Sequence, residues 1–170
     1  MGTDADHHPV VYADWCDAYA YCSGVSKRLC GAIGGGSNDG GAEDATRSQS
    51  YRACSSGGTY LYPYGNTYQP SYCDGWDYWN DNTSTMQTVA AGSLANCVTS
   101  ATGFAGVYDL SGNVWEWEDW CEGTGSGAAC LVRGGSFYYG GSSTYLPCGY
   151  DSNVVRSGVD NFIGFRCCSP

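Results

Sequence analysis

The sequence predicts one α+β domain, rich in loops and stapled by disulfides. Helix signals fall in the first third of the chain and short strand signals in the last third. Twenty-six glycines among 170 residues assign much of the remainder to connections. Eleven cysteines are scattered mostly singly, without the close C-x2-C spacing of a metal site.

The elements follow in chain order. Residues 1–8 form a polar lead, and residues 9–170 read as one domain with no dividing linker. Asp14 is placed to cap a helix running from Trp15 to Cys22. Asp17, three residues later, suits the positive end of that helix, and Gly24 is the stop. Residues 31–44 are a glycine-rich surface loop. It lacks the strand–loop–helix frame and the lysine that would let it cradle phosphate. A second helix is expected from Thr46 to Cys54, ending at Ser55-Ser-Gly-Gly58. Tyr62-Pro-Tyr-Gly-Asn66 has the Pro-then-Gly order of a tight turn. Residues 80–107 read as polar loop, and short strands are expected at Val114–Trp117, Leu131–Arg133 and Ile163–Cys167.

Charge and cysteine content exclude several functions. The net charge is −10, with a single lysine, Lys27, six arginines and no basic run. Nucleic-acid binding needs cations that displace counterions from phosphate, so that class is excluded. No stretch reaches the roughly 18 apolar residues of a transmembrane helix. Met1-Gly-Thr-Asp-Ala-Asp6 is acidic and polar, unlike an export signal. His7 and His8 are adjacent and terminal, a poor metal face. Paired cysteines outside the cell, in a secreted or surface protein, are the expected state, and the odd count leaves at least one thiol free or intermolecular.

Three blocks narrow the fold. They are Tyr108-Asp-Leu-Ser-Gly-Asn-Val-Trp-Glu-Trp-Glu-Asp-Trp120, Arg133-Gly-Gly-Ser-Phe137 and Ile163-Gly-Phe-Arg-Cys167. In this order, with the Trp-Glu-Trp core intact, they resemble the formylglycine-generating enzyme (sulfatase-modifying factor) family, a branch of the C-type-lectin-like fold. The resemblance implies a loop-rich α+β domain with two helices and short twisted strands. It also implies disulfides Cys22–Cys167 and Cys54–Cys148. Cys121 and Cys130 flank a glycine-rich turn and are expected to close a hairpin. The partners of Cys16, Cys30, Cys73, Cys97 and Cys168 stay open.

The enzymes of that family bind copper(I) through two cysteines that follow Gly-Gly-Ser. Counted from Ser136, the matching positions are Tyr139 and Thr144; counted back from Cys167 they are Tyr138 and Ser143. Phenol and hydroxyl oxygens do not replace thiolates on copper(I). No copper is therefore expected, and the oxidase chemistry is expected to be absent. A related iron-dependent branch needs a histidine-rich face, which this chain lacks. The resemblance also implies calcium, with Asp74, Asp81 and the carbonyl of Thr83 as hard oxygen donors. Glu116 and Glu118, two apart on a strand, share a face, but Glu116 belongs to the family motif and reads as scaffold.

What remains is a binding surface. Residues 137–162 mix aromatics with Gly, Ser, Asn and Asp, a composition that combines contact area with adaptable hydrogen bonding. The stretch holds no Lys, Glu, Gln, Met or Trp, and each of its residues is reachable from an Asn codon by changes at adenines. Its frame between Gly-Gly-Ser and Ile-Gly-Phe-Arg resembles that of variable proteins diversified by retroelements. The expected function is a non-catalytic extracellular or cell-surface binding or display domain. Its expected contacts are Tyr138, Tyr139, Tyr145, Tyr150, Asp151 and Asn153, joined by Tyr78 and Trp79, for a protein or glycan ligand. The alternatives are a copper-dependent oxidase using a displaced cysteine such as Cys148, and a structural subunit that self-associates through the odd cysteine or the tyrosine-rich face.

Overall fold

The computed structural model describes residues 7–39, 43–79, 85–138 and 141–169. Helix α1 spans Trp15–Gly24 and opens on a reciprocal capping box. The Asp17 amide donates to the Asp14 carboxylate, and the Asp14 amide donates to Asp17 (2.9 and 3.4 Å). The chain then forms β1 (Arg28–Leu29), α2 (Gln49–Cys54) and a 3-10 turn at Trp76–Trp79. The last third forms β2 (Trp115–Cys121), β3 (Ala129–Arg133), α3 (Ser142–Tyr145), β4 (Asp151–Val155), β5 (Ile163–Phe165) and β6 (Cys167–Cys168).

Among the described residues there are two sheets. The larger has the order β4-β3-β2-β5, with β2 and β5 parallel and the other pairs antiparallel. The smaller pairs β1 with β6. Trp15, Ala18 and Cys22 of α1 pack on Trp115, Trp117, Val132 and Ile163 of the larger sheet. Two of the buried indoles bond to backbone carbonyls: Trp15 Nε1 donates to that of Glu118 (2.8 Å) and Trp117 Nε1 to that of Ala13 (3.0 Å). The same two bonds lock the start of α1 to β2.

Beneath the sheet lies a buried ion pair. Arg133 Nε donates to Glu118 Oε1 at 3.1 Å, with the side chains 3% and 1% exposed. Asn38 Nδ2 and Ser48 Oγ also donate to Glu118, and Arg133 Nη1 donates to the Cys148 carbonyl. A buried pair is tolerated when its remaining lone pairs and protons are satisfied in this way. A second pair, Glu116–Arg166, is bidentate, and Arg166 Nη2 also donates to the Tyr108 carbonyl. The two motif carboxylates are thus each held by their own arginine.

Five disulfides are formed among the described residues: Cys22–Cys167, Cys30–Cys168, Cys54–Cys148, Cys73–Cys97 and Cys121–Cys130. The first two tie α1 and the end of β1 to the C-terminal strand across 145 and 138 residues. In the chain-entropy view such a loop is worth about 5 kcal/mol.

Several boundaries differ from the sequence expectation. The second helix starts at Gln49, not Thr46, because Asp44 Oδ1 takes the Thr46 amide and hydroxyl into a local turn and Ser48 is the N-cap. The first runs past Cys22 to Gly24. The expected strand Ile163–Cys167 breaks at Arg166, which turns toward Glu116. Strand β4 and the one-turn helix α3 were not anticipated. Asp151-Ser-Asn-Val-Val155 has no clean alternation and is recruited by the edge of β3, residue against residue from Arg133↔Asp151 to Ala129↔Val155.

Candidate functional site

The blocks at 108–120 and 133–137 build a frame around the variable-looking stretch. The Gly112 amide donates to the Gly134 carbonyl, the Asn113 amide to that of Asp74, and the Phe137 amide to that of Asn113. Asn113 further exchanges side-chain bonds with the Val89 backbone. Gly135 has φ +73°, and a Cβ there would lie 2.6 Å from the Tyr145 carbonyl, so α3 can seat against the motif only because this residue is glycine. Phe137 is buried core.

A cavity of about 280 Å3 opens over β3 and β4. Trp115 and Val132 contribute from the core, and Tyr145, Tyr150, Asn153 and Phe162 line it. Tyr145 meets Tyr150 edge-on at 5.1 Å, and Tyr150 leans on Trp115 at 5.8 Å. Tyr138, 51% exposed, stacks on Phe162 with centroids 5.1 Å apart. The fold therefore gathers Tyr145, Tyr150 and Asn153 in one cavity, with Tyr138 joined to it through Phe162. Burial, with Tyr145 and Asp151 adding to it, raises the Tyr150 phenol above its ordinary value.

The other expected contacts lie elsewhere. Asp151 faces Arg133 (3.8 Å) and is not among the residues lining this cavity, because its register opposite Arg133 turns it to the buried ion pair. Burial raises its carboxyl, partly offset by Arg133. Tyr78 and Trp79 sit on the 3-10 turn, edge-to-face at 5.3 Å. Trp79 Nε1 donates to Asp74 Oδ1 (2.7 Å), so that indole serves the loop carrying Asp74. Tyr139 lies outside the described residues. Phe162 and Ser152 line the cavity although the sequence did not single them out. A larger hollow of about 440 Å3, between α2 and the 103–107 loop, holds none of the expected contacts.

Asp74 is the described member of the expected calcium set, since Asp81 and Thr83 lie outside the described residues. It is 1% exposed, and its Oδ2 has no hydrogen-bond partner among the described residues. Burial pushes its carboxyl up to about 7, against the Trp79 bond and with Asp109 adding to the rise. An orphaned, buried carboxylate oxygen is the hard donor that calcium takes. Asp77 instead accepts from the Tyr68 hydroxyl (2.7 Å). Among the described residues, no group of three or more His, Cys, Asp or Glu side chains is placed to hold a metal.

Cys148, the cysteine that an oxidase reading needs as a thiolate, is bonded to Cys54. Among the described residues only Cys16, exposed on α1, has no disulfide.

Among the described residues, two small sheets, short packed helices and long ordered loops closed by disulfides define a C-type-lectin-like domain. Within that class the chain belongs to the sulfatase-modifying factor enzyme 1-like domain family, whose model it matches over residues 2–169. It is 28% identical to the formylglycine-generating enzyme of Mus musculus, over 95% of this chain and 44% of that protein. It is 28% identical to that of Streptomyces coelicolor, over 97% of this chain and 54% of that protein. An inactive C-alpha-formylglycine-generating enzyme 2 of Mus musculus is 27% identical over 87% of the chain and 36% of its own length. The chain thus spans about half the length of these relatives or less. Among solved structures it is similar to Treponema denticola variable protein 1, with TM-score 0.62 and 21% identity over 96% of this chain and 72% of that one. It is also similar to CarF, with TM-score 0.63 and 18% identity over 97% and 68%.

Proposed function

We propose that this chain is a non-catalytic binding or display domain that holds a protein or glycan on the surface built by residues 137–162. The observation that carries this reading is the cavity beside Tyr150. Tyr145, Tyr150, Ser152, Asn153 and Phe162 all come from that stretch, while Trp115 and Val132 supply core backing. Half-buried phenols from α3 and the loop before β4, one of them packed on Trp115 of the sheet, give contact area at low entropic cost. The closed Cys54–Cys148 bridge removes the cysteine an oxidase would need and favours binding over copper chemistry.

Diversification of the stretch is part of the reading. The frame between Gly-Gly-Ser and Ile-Gly-Phe-Arg supports it, as does the fold shared with a protein described as variable. Five disulfides support an extracellular or cell-surface setting. Calcium at Asp74 would neutralise the orphaned carboxylate. Calcium is then expected to raise the melting temperature of the native chain and not of Asp74→Asn, measured by calorimetry with and without chelator. No rise in the native chain would remove calcium from the account.

A displayed library tests the surface itself. Tyr138, Tyr145, Tyr150 and Asn153 are varied through Asn-codon adenine changes, then sorted for folding and for binding to unrelated proteins. Most members should keep all five disulfides and melt within about 4 °C of the parent, roughly 1–2 kcal/mol. Some should acquire new binding. A library in which most members fail to fold would contradict the reading.

A further inference from the structure

Tyr150 has a second cavity on its other side, of about 230 Å3. Tyr51 of α2, Tyr60, Thr144, Pro147 and Tyr150 line it together with Glu43. Apart from Tyr150, none of these was singled out as a contact. Among the described residues, three phenol rings and one carboxylate surround the hollow, and no Lys or Arg lines it. Aromatic rings attract a cation through their quadrupole, and a carboxylate adds a full opposite charge. A neutral sugar can donate hydroxyl hydrogen bonds to that carboxylate but gains no charge–charge attraction from it.

The aromatic walls are tied to one another, while Glu43 is an exposed side chain at the rim. Cys54, three residues after Tyr51, is bonded to Cys148, in the loop that carries Pro147 and Tyr150. The Cys148 amide donates to the Leu61 carbonyl (2.7 Å), which ties the residue after Tyr60 to the same loop. The Tyr150 amide donates back to Pro147 (2.9 Å). Glu43 lies against the backbone at Gly149: a Cβ there would sit 2.8 Å from Glu43 Oε1, so any other residue would displace the carboxylate. Glu43 also lies near enough to contribute to the raised carboxyl of Asp151. The whole chain, at −10, adds a field that favours a positive ligand.

We propose that this cavity is a cation subsite that takes the ammonium head of a lysine side chain from a protein ligand. The inference rests on the binding reading above and narrows it. Tyr150 lines both cavities, so one ligand can place an apolar group beside Trp115 and a cation beside Glu43. A peptide segment offers both groups within a few residues.

The test uses the intact oxidised chain and three probes followed by NMR titration: N-acetyl-lysine-methylamide, its neutral counterpart N-acetyl-norleucine-methylamide, and a panel of methyl glycosides. The lysine probe should saturate at millimolar concentration and shift resonances of Tyr51, Tyr60 and Tyr150. The norleucine probe should bind at least about tenfold more weakly. Glu43→Gln should weaken the lysine probe about fivefold, and Tyr60→Leu at least about tenfold, with melting and disulfides unchanged. Equal binding of norleucine, glycoside binding in its place, or no saturable lysine binding would overturn the proposal. Loss of lysine binding with the library result intact removes the cation subsite alone. A library that fails to fold, with lysine binding intact, removes only the wider surface.

Discussion

Glu118 is where single-residue chemistry reaches furthest. It accepts from Asn38, Ser48 and Arg133, which lie in the first loop, at the cap of α2 and on β3. Replacing Arg133 with Met leaves a buried carboxylate without its cation, and is expected to cost about 3–5 kcal/mol. Urea unfolding of Arg133→Met and of the double variant Arg133→Met/Glu118→Leu measures this. The double variant should recover much of the loss. Asp109 makes a second prediction. Burial, more than the opposing Gly92 bond and Arg166, holds its carboxyl above the ordinary 3.8. The folded chain therefore takes up this proton at a higher pH than the unfolded chain does. Its contribution to stability rises as the pH falls through the folded value and levels off below about 3.8. Asp109→Asn, which tolerates the positive φ of +57° here, should flatten that part of a stability profile taken between pH 4 and 8. An unchanged profile would count against it. The burial of Glu118 was not legible in the sequence, because a carboxylate two residues from Glu116 looks the same whether it meets water or Arg133.

At the scale of elements, the sequence was clearest where local chemistry decides. Asp14 and Asp17 announce α1, and the structure has their reciprocal bonds. Three strands were expected near Trp115, Val132 and Ile163, but β2 runs on to Cys121 and β3 starts two residues early at Ala129. Helix α2 was less so, because Asp44 and Ser48 compete for the same turn and only tertiary contact selects Ser48, whose hydroxyl also reaches Glu118. Ser48→Ala removes both bonds and should cost about 1–2 kcal/mol, read as a lower urea midpoint at unchanged slope. Strand β4 was invisible from sequence because its pairing with β3 is long-range and its residues alternate poorly. The proposed binding cavity suffers from the same limit. Its tyrosines were legible as a composition, but the ion pair that draws Asp151 to Arg133 depends on the long-range pairing of β4 with β3.

For the whole molecule, the frame and the state of the cysteines are the two facts that matter. The frame of the family is present: the Trp-Glu-Trp strand, the Gly-Gly-Ser turn and the paired C-terminal strand all hold their places. Cys148 and nine other cysteines are closed into bridges. A domain so stapled loses little by varying one loop-rich face, which is the physical condition for a display surface. Most of this frame was legible from three short motifs, since turns, buried indoles and a motif arginine constrain residues strongly. The proposed ligand face was legible only in outline, because binding surfaces are built from residues the fold does not constrain. The central claim is that this scaffold binds without copper chemistry. The most direct test is to count alkylatable thiols by mass spectrometry in the non-reduced protein, with and without copper(I). The account predicts one reactive thiol, at Cys16, and no protection by copper(I). Two or more reactive thiols, Cys148 among them, that copper(I) protects would contradict it.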